Sequence, residues 1–296
     1  MAVSGYVLYH YNPSLVAAVI FIALFNLASV AHTIQLIRRR TWYFIPFVIG
    51  GCFETVGYIG RAWSAKQSPD WTVPPYVMQS LLLLLAPALF AASIYMVLGR
   101  IIQLTDGEEH SLIRAKLLTK VFVTGDVLSF FVQSTGGGMM AQSSGKNLKL
   151  GERLITIGLL IQILFFGFFM IVAGVFHYRI ALYPTGRCLT LTVPWKRYLW
   201  ILYSASLLIM VRSVFRVIEY VQGSDGMLLQ HELYLYIFDA TLMFLTMVIF
   251  NIFHPSKIIS KYHRVDGTQP APSRGSGAGS REIMMQDQRG YEYPKP

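Results

Sequence analysis

Apolar residues are gathered into seven long blocks that are separated by short polar segments. Each block holds about 20 residues or more, the length that a helix needs to cross roughly 30 Å of hydrocarbon. The pattern therefore predicts an all-α, polytopic membrane protein with seven transmembrane helices. The predicted spans lie near residues 14–36, 44–65, 76–102, 118–141, 154–178, 198–221 and 232–254.

Two of the blocks are less uniformly apolar than the others. Asp126, Gln133 and the glycines 136–138 dilute the fourth block, and Arg212, Arg216 and Glu219 interrupt the sixth. Charged side chains inside a membrane usually face the interior of a helix bundle. Both blocks can therefore span the membrane if their polar sides face protein.

The positions of Lys and Arg predict the orientation of the chain. Eighteen of them lie in the connections after the first, third and fifth blocks, at the adjoining ends of the blocks, or after residue 254, and the alternate connections hold only Lys66, Lys146, Lys149 and Arg153. Basic segments stay in the cytosol. We therefore expect an extracellular N-terminus at 1–13, a membrane domain at 14–254 and a cytosolic tail at 255–296.

Two further features complete the outline of the chain. No Arg or Lys precedes Arg38, so the first block lacks the basic start of a cleaved signal peptide and is expected to remain as a helix. From about Val265 onward Gly, Ser, Pro, Gln and charged residues dominate, which is typical of a disordered segment.

The overall composition supports the membrane prediction and excludes several functions. The sequence is 54% hydrophobic and 14% charged, whereas soluble domains are about one quarter charged. Its net charge of +10 comes mainly from the connections, where topology explains it without nucleic acid. The two cysteines offer no disulfide framework, and there is no Walker loop, serine nucleophile elbow or dinucleotide fingerprint.

Charged residues inside the blocks are the first functional candidates, since burying a charge in a membrane is costly. They are Glu54, Arg61, Asp126, Arg212, Arg216, Glu219 and Asp239. The near balance of acids and bases predicts mutual pairing. Two interpretations remain open at this point: a structural ion network, or a site for a polar ligand.

Helical spacing places several of these residues on shared faces. Arg212, Arg216 and Glu219 follow at i, i+4 and i+7, and Asp239 of the next span is the expected partner of one arginine. In the third block, Pro87 is expected to free a backbone carbonyl near the middle of the helix.

Glycines occur on two of these faces. Gly50 and Gly57 share a stripe with Glu54 and Arg61, where small residues allow another helix to approach closely. In the fourth block, Phe122, Asp126, Ser129, Gln133 and Met140 form one stripe beside the glycines 136–138. The glycine run has two interpretations, close helix packing or an opening that faces a ligand.

Metal binding is a further alternative. His32 and His254 lie toward the cytosolic ends of the first and last spans, and with Glu54, Asp126 and Asp239 they would supply ligands for zinc in an intramembrane hydrolase. No paired-histidine motif supports this idea, and interfacial hydrogen bonding is the favoured role of each histidine. We therefore expect no metal and no cofactor.

From about Tyr11 to Pro255 the sequence resembles the fungal lipid-translocating exporter (RTA-like) family, which includes aminocholesterol-resistance proteins and sphingoid long-chain-base exporters. The residues that carry the resemblance are Glu54-x-x-Gly57-Tyr58-x-x-Arg61, Gln79, Ala86-Pro87, Tyr95-x-x-Leu98-Gly99-Arg100, Asp126, Ser129, Gln133, Gly136 to Gly138, Gly158-Leu159-x-x-Gln162, Arg212-x-x-Phe215-Arg216-x-x-Glu219, Gly223, Glu232, Tyr236, Asp239 and His254-Pro255.

The resemblance implies a seven-span fungal protein, expected in the plasma membrane, that exports or flips amphiphiles such as sphingoid bases, cationic sterols and drugs and confers resistance to them. The partners are membrane lipids and amphiphiles, and no enzymatic activity is expected. The substrate-binding candidates are Glu54, Tyr58, Arg61, Asp126, Gln133, Arg212, Arg216, Glu219 and Asp239.

Two other functions stay open beside transport. A seven-helix receptor or sensor of lipid or drug stress would recruit a cytosolic partner to its loops or tail, with the basic segment from Arg114 to Lys120 as the expected contact. An intramembrane metal-dependent lipid hydrolase would bind zinc and release product from a ceramide-like substrate.

Overall fold

A computed structural model describes residues 11–142, 146–191, 194–222 and 231–256. All of them belong to one compact unit. Most of the predicted cytosolic tail and of the predicted extracellular N-terminus lies outside the described residues.

The described residues form helices and contain no strand. Six long helices come first: α1 (Leu15–Arg39), α2 (Ile45–Lys66), α3 (Val73–Leu104), α4 (Ala115–Gln142), α5 (Lys146–Leu182) and, after the short α6 (Gly186–Thr190), α7 (Trp195–Gln222). The last helical stretch consists of α8 (Glu232–Leu235), a π-helical turn (Tyr236–Thr241) and α9 (Leu242–Ile252).

Six helical stretches are long and apolar enough to cross a membrane, which confirms the prediction of an all-α, multi-pass membrane protein. They are Leu15–Arg39, Trp42–Lys66, Val73–Leu104, Lys149–Leu182, Trp195–Gln222 and Glu232–Ile252. Helix α4 has 28 residues but is not among these six stretches. Its role as a seventh span, and the orientation with the N-terminus outside, stay predictions.

The helices pack in the order in which they occur along the chain, and the arrangement closes on itself. Each long helix contacts the next one, and α9 contacts α1 as well as α7. Helix α3 also contacts α7, and it is the most extensively buried of the six apolar stretches. Residues on α2, α3, α7 and the last stretch therefore meet inside the bundle.

Glycine allows α2 to approach α3 closely, as the stripe of small residues predicts. A Cβ atom on Gly50 would lie 2.7 Å from Cε1 of Phe90, and one on Gly57 would lie 2.6 Å from Cδ2 of Leu83. Both contacts are closer than carbon atoms tolerate, so side chains at these positions would push the helices apart. The same stripe buries Glu54 and Arg61 between the helices.

The three consecutive glycines of α4 have two different environments. A Cβ atom on Gly136 would lie 2.6 Å from the backbone oxygen of Gly151 on α5, whereas Cβ atoms on Gly137 and Gly138 would meet nothing within 4 Å. Gly136 therefore serves helix packing, and Gly137 and Gly138 border open space. The packing interpretation therefore holds for Gly136, and a ligand-facing role of Gly137 and Gly138 stays a prediction.

Candidate functional site

The buried charged residues fall into three groups, which we name by position. The outer cluster lies near the start of α1 and consists of Arg61, Glu232, Tyr236 and Tyr11. The central cluster consists of Glu54, Arg212, Arg216, Glu219 and Asp239. The α4 polar row consists of Asp126, Ser129 and Gln133, with Tyr95 and Gln162 as partners on α3 and α5.

In the outer cluster, the guanidinium of Arg61 connects α2 with the last helical stretch and with the segment that precedes α1. Its Nη2 lies 2.7 Å from Oε1 of Glu232 and donates to the Tyr11 hydroxyl at 2.9 Å, and its Nε donates to the Tyr236 hydroxyl at 3.0 Å. Both carboxylate oxygens of Glu232 accept the backbone N–H of Ser14, at 2.9 and 3.0 Å. The carboxylate therefore binds both the guanidinium and the N-terminal end of α1.

Tyr58 occupies the space between the outer and central clusters. Its ring stacks on Phe21 and Phe25, with centroid distances of 5.6 and 5.5 Å. The side chain is fully buried, and its hydroxyl has no hydrogen-bond partner in the described part of the chain. It lies close enough to Glu54 and Asp239 for direct electrostatic interaction.

In the central cluster, Arg212 forms two contacts that hold the core of the bundle together. Its Nε forms an ion pair with Oδ1 of Asp239, which confirms the predicted pairing, and its Nη2 donates to the backbone oxygen of Leu83 at 2.7 Å. That oxygen is available because residue 87 is proline, which has no N–H to donate four residues back. The carbonyl group that Pro87 was expected to free is therefore that of Leu83, and it accepts a hydrogen bond from a buried arginine.

Arg216 lies one turn further along α7 and connects two acids. Its Nη1 donates to Oε2 of Glu219 at 2.8 Å and lies 4.0 Å from Oδ2 of Asp239. The guanidinium carbon is 5.5 Å from the ring centroid of Tyr220. The i and i+3 spacing of Arg216 and Glu219 on one helix makes this pair local, so it orients Arg216 without crossing the bundle.

A π-helical turn positions Asp239. Such turns insert one extra residue into an α-helix and are frequent at functional sites. Here the turn spans Tyr236–Thr241, and it allows Tyr236 and Asp239 to be buried together. The face of the last helical stretch that carries Asp239 continues through Met243, Thr246 and Phe250, all of which are buried.

Glu54 is the unpaired member of the central cluster. It is 1% exposed, its Oε1 accepts no hydrogen bond, and it forms no ion pair within the described residues. It nevertheless lies close enough to interact electrostatically with Asp239, Arg212 and Arg216. The cluster as described therefore holds three carboxyl groups and two guanidinium groups, so one carboxyl group is left without a guanidinium partner.

The α4 polar row is separate from both clusters. Oδ2 of Asp126 accepts the Tyr95 hydroxyl at 2.9 Å, while Oδ1 has no partner in the described part of the chain. Nε2 of Gln133 donates to the Ser129 hydroxyl and to Oε1 of Gln162, each at 3.2 Å. The stripe predicted on α4 is buried from Phe122 to Met140, as its spacing requires.

A cavity of about 100 Å³ borders the C-terminal end of this row, between α3, α4, α5 and α7. Gln133, Ser134, Gly137 and Gly138 form its α4 wall, and Tyr220 contributes from α7. Since Tyr220 also contacts Arg216, the cavity adjoins the central cluster. The pattern of polar and glycine positions on α4 left such an opening as one of two interpretations and did not indicate which helices enclose it.

The possible zinc ligands do not gather at one place. Glu54 and Asp239 lie in the central cluster, Asp126 pairs with Tyr95, and the rings of His32 and His254 lie 6.4 Å apart among Phe44 and Phe47. Nε2 of His32 bonds to the backbone oxygen of Met247 at 3.0 Å. Within the described residues, no group of three or more His, Cys, Asp or Glu side chains is arranged to hold a metal ion.

All nine substrate-binding candidates lie in the clusters, in the α4 row or, for Tyr58, between the clusters. The candidate set omitted Tyr95, Glu232 and Tyr236. Each carries a sequence signal: Tyr95 is a polar side chain in the middle of an apolar helix, and Glu232 and Tyr236 precede Asp239 at helical spacing. The acceptor oxygen of Leu83 has no side-chain signal, but Pro87 marks it.

Comparison with known proteins gives a consistent family assignment. The family described as "RTA1 like protein" matches residues 47–262. From Saccharomyces cerevisiae, Protoporphyrin uptake protein 1 is 37% identical over 84% of this chain and 92% of its own length, and Protein RTM1 is 42% identical over 72% and 68%. Sphingoid long-chain base transporter RSB1 from the same species is 27% identical over 82% and 72%. No solved structure matches the chain.

Proposed function

Because the chain belongs to the RTA1-like protein family, we propose that it is a plasma-membrane translocator that exports amphiphiles with a cationic amine head, such as sphingoid long-chain bases, cationic sterols or drugs, and so confers resistance to them. The family assignment agrees with the resemblance found in the sequence. The central cluster supports a substrate with a positively charged head.

The observation that carries the proposal is the unmatched carboxyl group of the central cluster. Three carboxyl groups face two guanidinium groups, and Oε1 of Glu54 has no partner within the described residues. A buried charge without a counter-ion is unfavourable, whereas an ammonium group that binds to it forms a charge-assisted hydrogen bond. An amine-bearing lipid would therefore complete the cluster.

The same count of charges distinguishes between the substrates named for the relatives. Protoporphyrin carries two carboxyl groups, and an anion entering this cluster would add carboxylates where carboxyl groups already outnumber guanidinium groups. A sphingoid base carries one amine and one alkyl chain, so its head would pair with the carboxyl group that lacks a partner while its chain stays in apolar surroundings. The cluster therefore favours the amine.

Transport of a free long-chain base and of its N-acetylated form, which has no positive charge, tests this proposal. With purified protein in vesicles, fluorescent lipid that reaches the outer leaflet is extracted with albumin. We expect wild type to move the free base, and Glu54→Gln to slow it about tenfold, since one charge-assisted hydrogen bond contributes about 1.5–3 kcal/mol.

Glu108→Gln provides the matched control, because Glu108 is an exposed residue. Glu54→Gln is nearly isosteric and removes no hydrogen bond at Oε1, so its melting temperature should be no lower than that of wild type. Equal movement of free base by wild type and folded Glu54→Gln would contradict the proposed role of Glu54. Absence of any base movement by wild type would contradict the proposed function.

A further inference from the structure

The cavity between α3, α4, α5 and α7 differs chemically from the central cluster. Its α3 wall includes Tyr76 and Ser80, its α4 wall includes Gln133 and Ser134, and all the described residues that line it are uncharged. A ligand there meets no charged side chain from the described part of the chain. Hydrogen bonding and apolar contact are therefore the means by which these residues can select what binds.

Two polar atoms at the cavity lack partners in the described part of the chain: Oε1 of Gln133 and the hydroxyl oxygen of Ser134. Gln133 is 2% exposed. Its Nε2 already donates to Ser129 and Gln162, which leaves Oε1 as its free group. A buried acceptor without a donor costs about 1–3 kcal/mol, so a ligand that donates a hydrogen bond is favoured here.

The dimensions of the cavity limit which part of a ligand it can hold. Whole small-molecule ligands usually occupy about 300–1,000 Å³, whereas this cavity measures about 100 Å³. On one side it is bordered by Gly138, which is exposed, and a Cβ there would meet nothing within 4 Å. A lipid head therefore fits inside, while its alkyl chain extends past Gly138 along the apolar surface of the bundle.

We infer that this cavity is a lipid subsite that takes the hydroxyl-bearing head of a single-chain amphiphile and requires no positive charge on it. Oε1 of Gln133, which can only accept, selects hydroxyl donors and disfavours carboxylate or phosphate heads, and the described wall residues carry no charge that would create a preference for a cation. The inference extends the proposed transport of amphiphiles, but it concerns binding and is tested without transport.

Photo-crosslinking of purified protein in nanodiscs tests the inference with two clickable diazirine probes, a sphingosine and a 1-alkylglycerol. We expect both to label peptides that contain residues 76–84 and 133–140. Unlabelled sphingosine and monooleoylglycerol should compete for these positions, and oleate should not.

Substitutions of glycine provide the matched comparison. Gly137→Leu places a side chain in the cavity and should reduce labelling about tenfold, which corresponds to roughly 1.4 kcal/mol. The probes should label Gly174→Leu on α5 to the same extent as wild type, since a Cβ there also meets nothing within 4 Å and the residue is exposed. Gly138→Leu is the second filling variant and is used if Gly137→Leu does not fold.

Two results would overturn the inference: undiminished labelling of these peptides in a folded filling variant, or competition by sphingosine without competition by monooleoylglycerol. The second result would mean that a positive charge is required. Labelling by both probes in a protein that moves no lipid would support the subsite and contradict the proposed transport.

Discussion

Arg212→Ala is expected to lower the free energy of unfolding by about 3–5 kcal/mol, because it leaves the buried carboxylate of Asp239 without its main counter-ion. It also leaves the backbone oxygen of Leu83 without a donor, since Pro87 cannot supply one. For a domain of this size the melting temperature in detergent should fall by about 10 °C.

Arg153→Ala is the control for this experiment, because Arg153 is exposed on α5. Its melting temperature should lie close to that of wild type. The double variant Arg212→Met with Asp239→Leu should recover part of the lost stability, because replacing both members of a buried pair by apolar residues leaves no isolated charge from that pair. Equal melting temperatures for Arg212→Ala and Arg153→Ala would show that the central cluster is not needed for folding.

Gly136→Ala and Gly137→Ala are expected to change stability in opposite directions although the two residues are adjacent. A Cβ on Gly136 would lie 2.6 Å from the backbone oxygen of Gly151 and 2.9 Å from the backbone nitrogen of Ile155. Backbone atoms cannot rotate away as side chains do, so α4 and α5 would have to separate, at a cost of about 1–3 kcal/mol.

Gly137→Ala meets no such obstacle, and alanine is favoured over glycine in a helix by about 1 kcal/mol. Its melting temperature should therefore equal or exceed that of wild type, and Gly138→Ala should behave like it. Thermal melts of the three variants in one detergent make the comparison. If Gly136→Ala had the same melting temperature as the other two variants, the close contact of α4 with α5 would be refuted.

Helical spacing predicted the interior of the bundle correctly wherever the helices are regular. It placed Arg212, Arg216 and Glu219 on one face and named Asp239 as a partner, and both are confirmed. It did not predict the π-helical turn at Tyr236–Thr241, because one inserted residue leaves the apolar pattern almost unchanged. The turn is a feature of the backbone that the pattern of side chains does not mark.

The division of the charged residues into separate clusters also could not be predicted from the sequence. Arg61 and Glu54 share a stripe on α2, but Arg61 pairs with Glu232 while Glu54 faces the central cluster. Helical spacing gives the angle of a residue around its own helix, whereas pairing depends on how far neighbouring helices are shifted along their axes. The same reason explains why Tyr95 was not recognised as the partner of Asp126.

The contact between α4 and α5 has a consequence for the biogenesis of this protein. Helix α4 is not among the six stretches that qualify as spans, and part of its buried polar row, Gln133, pairs with Gln162 on α5, which the ribosome makes later. A helix whose polar groups are satisfied in part by its successor gains less from entering lipid before that successor. Insertion of α4 by the translocon should therefore wait for α5, so that the two enter the bilayer as a hairpin.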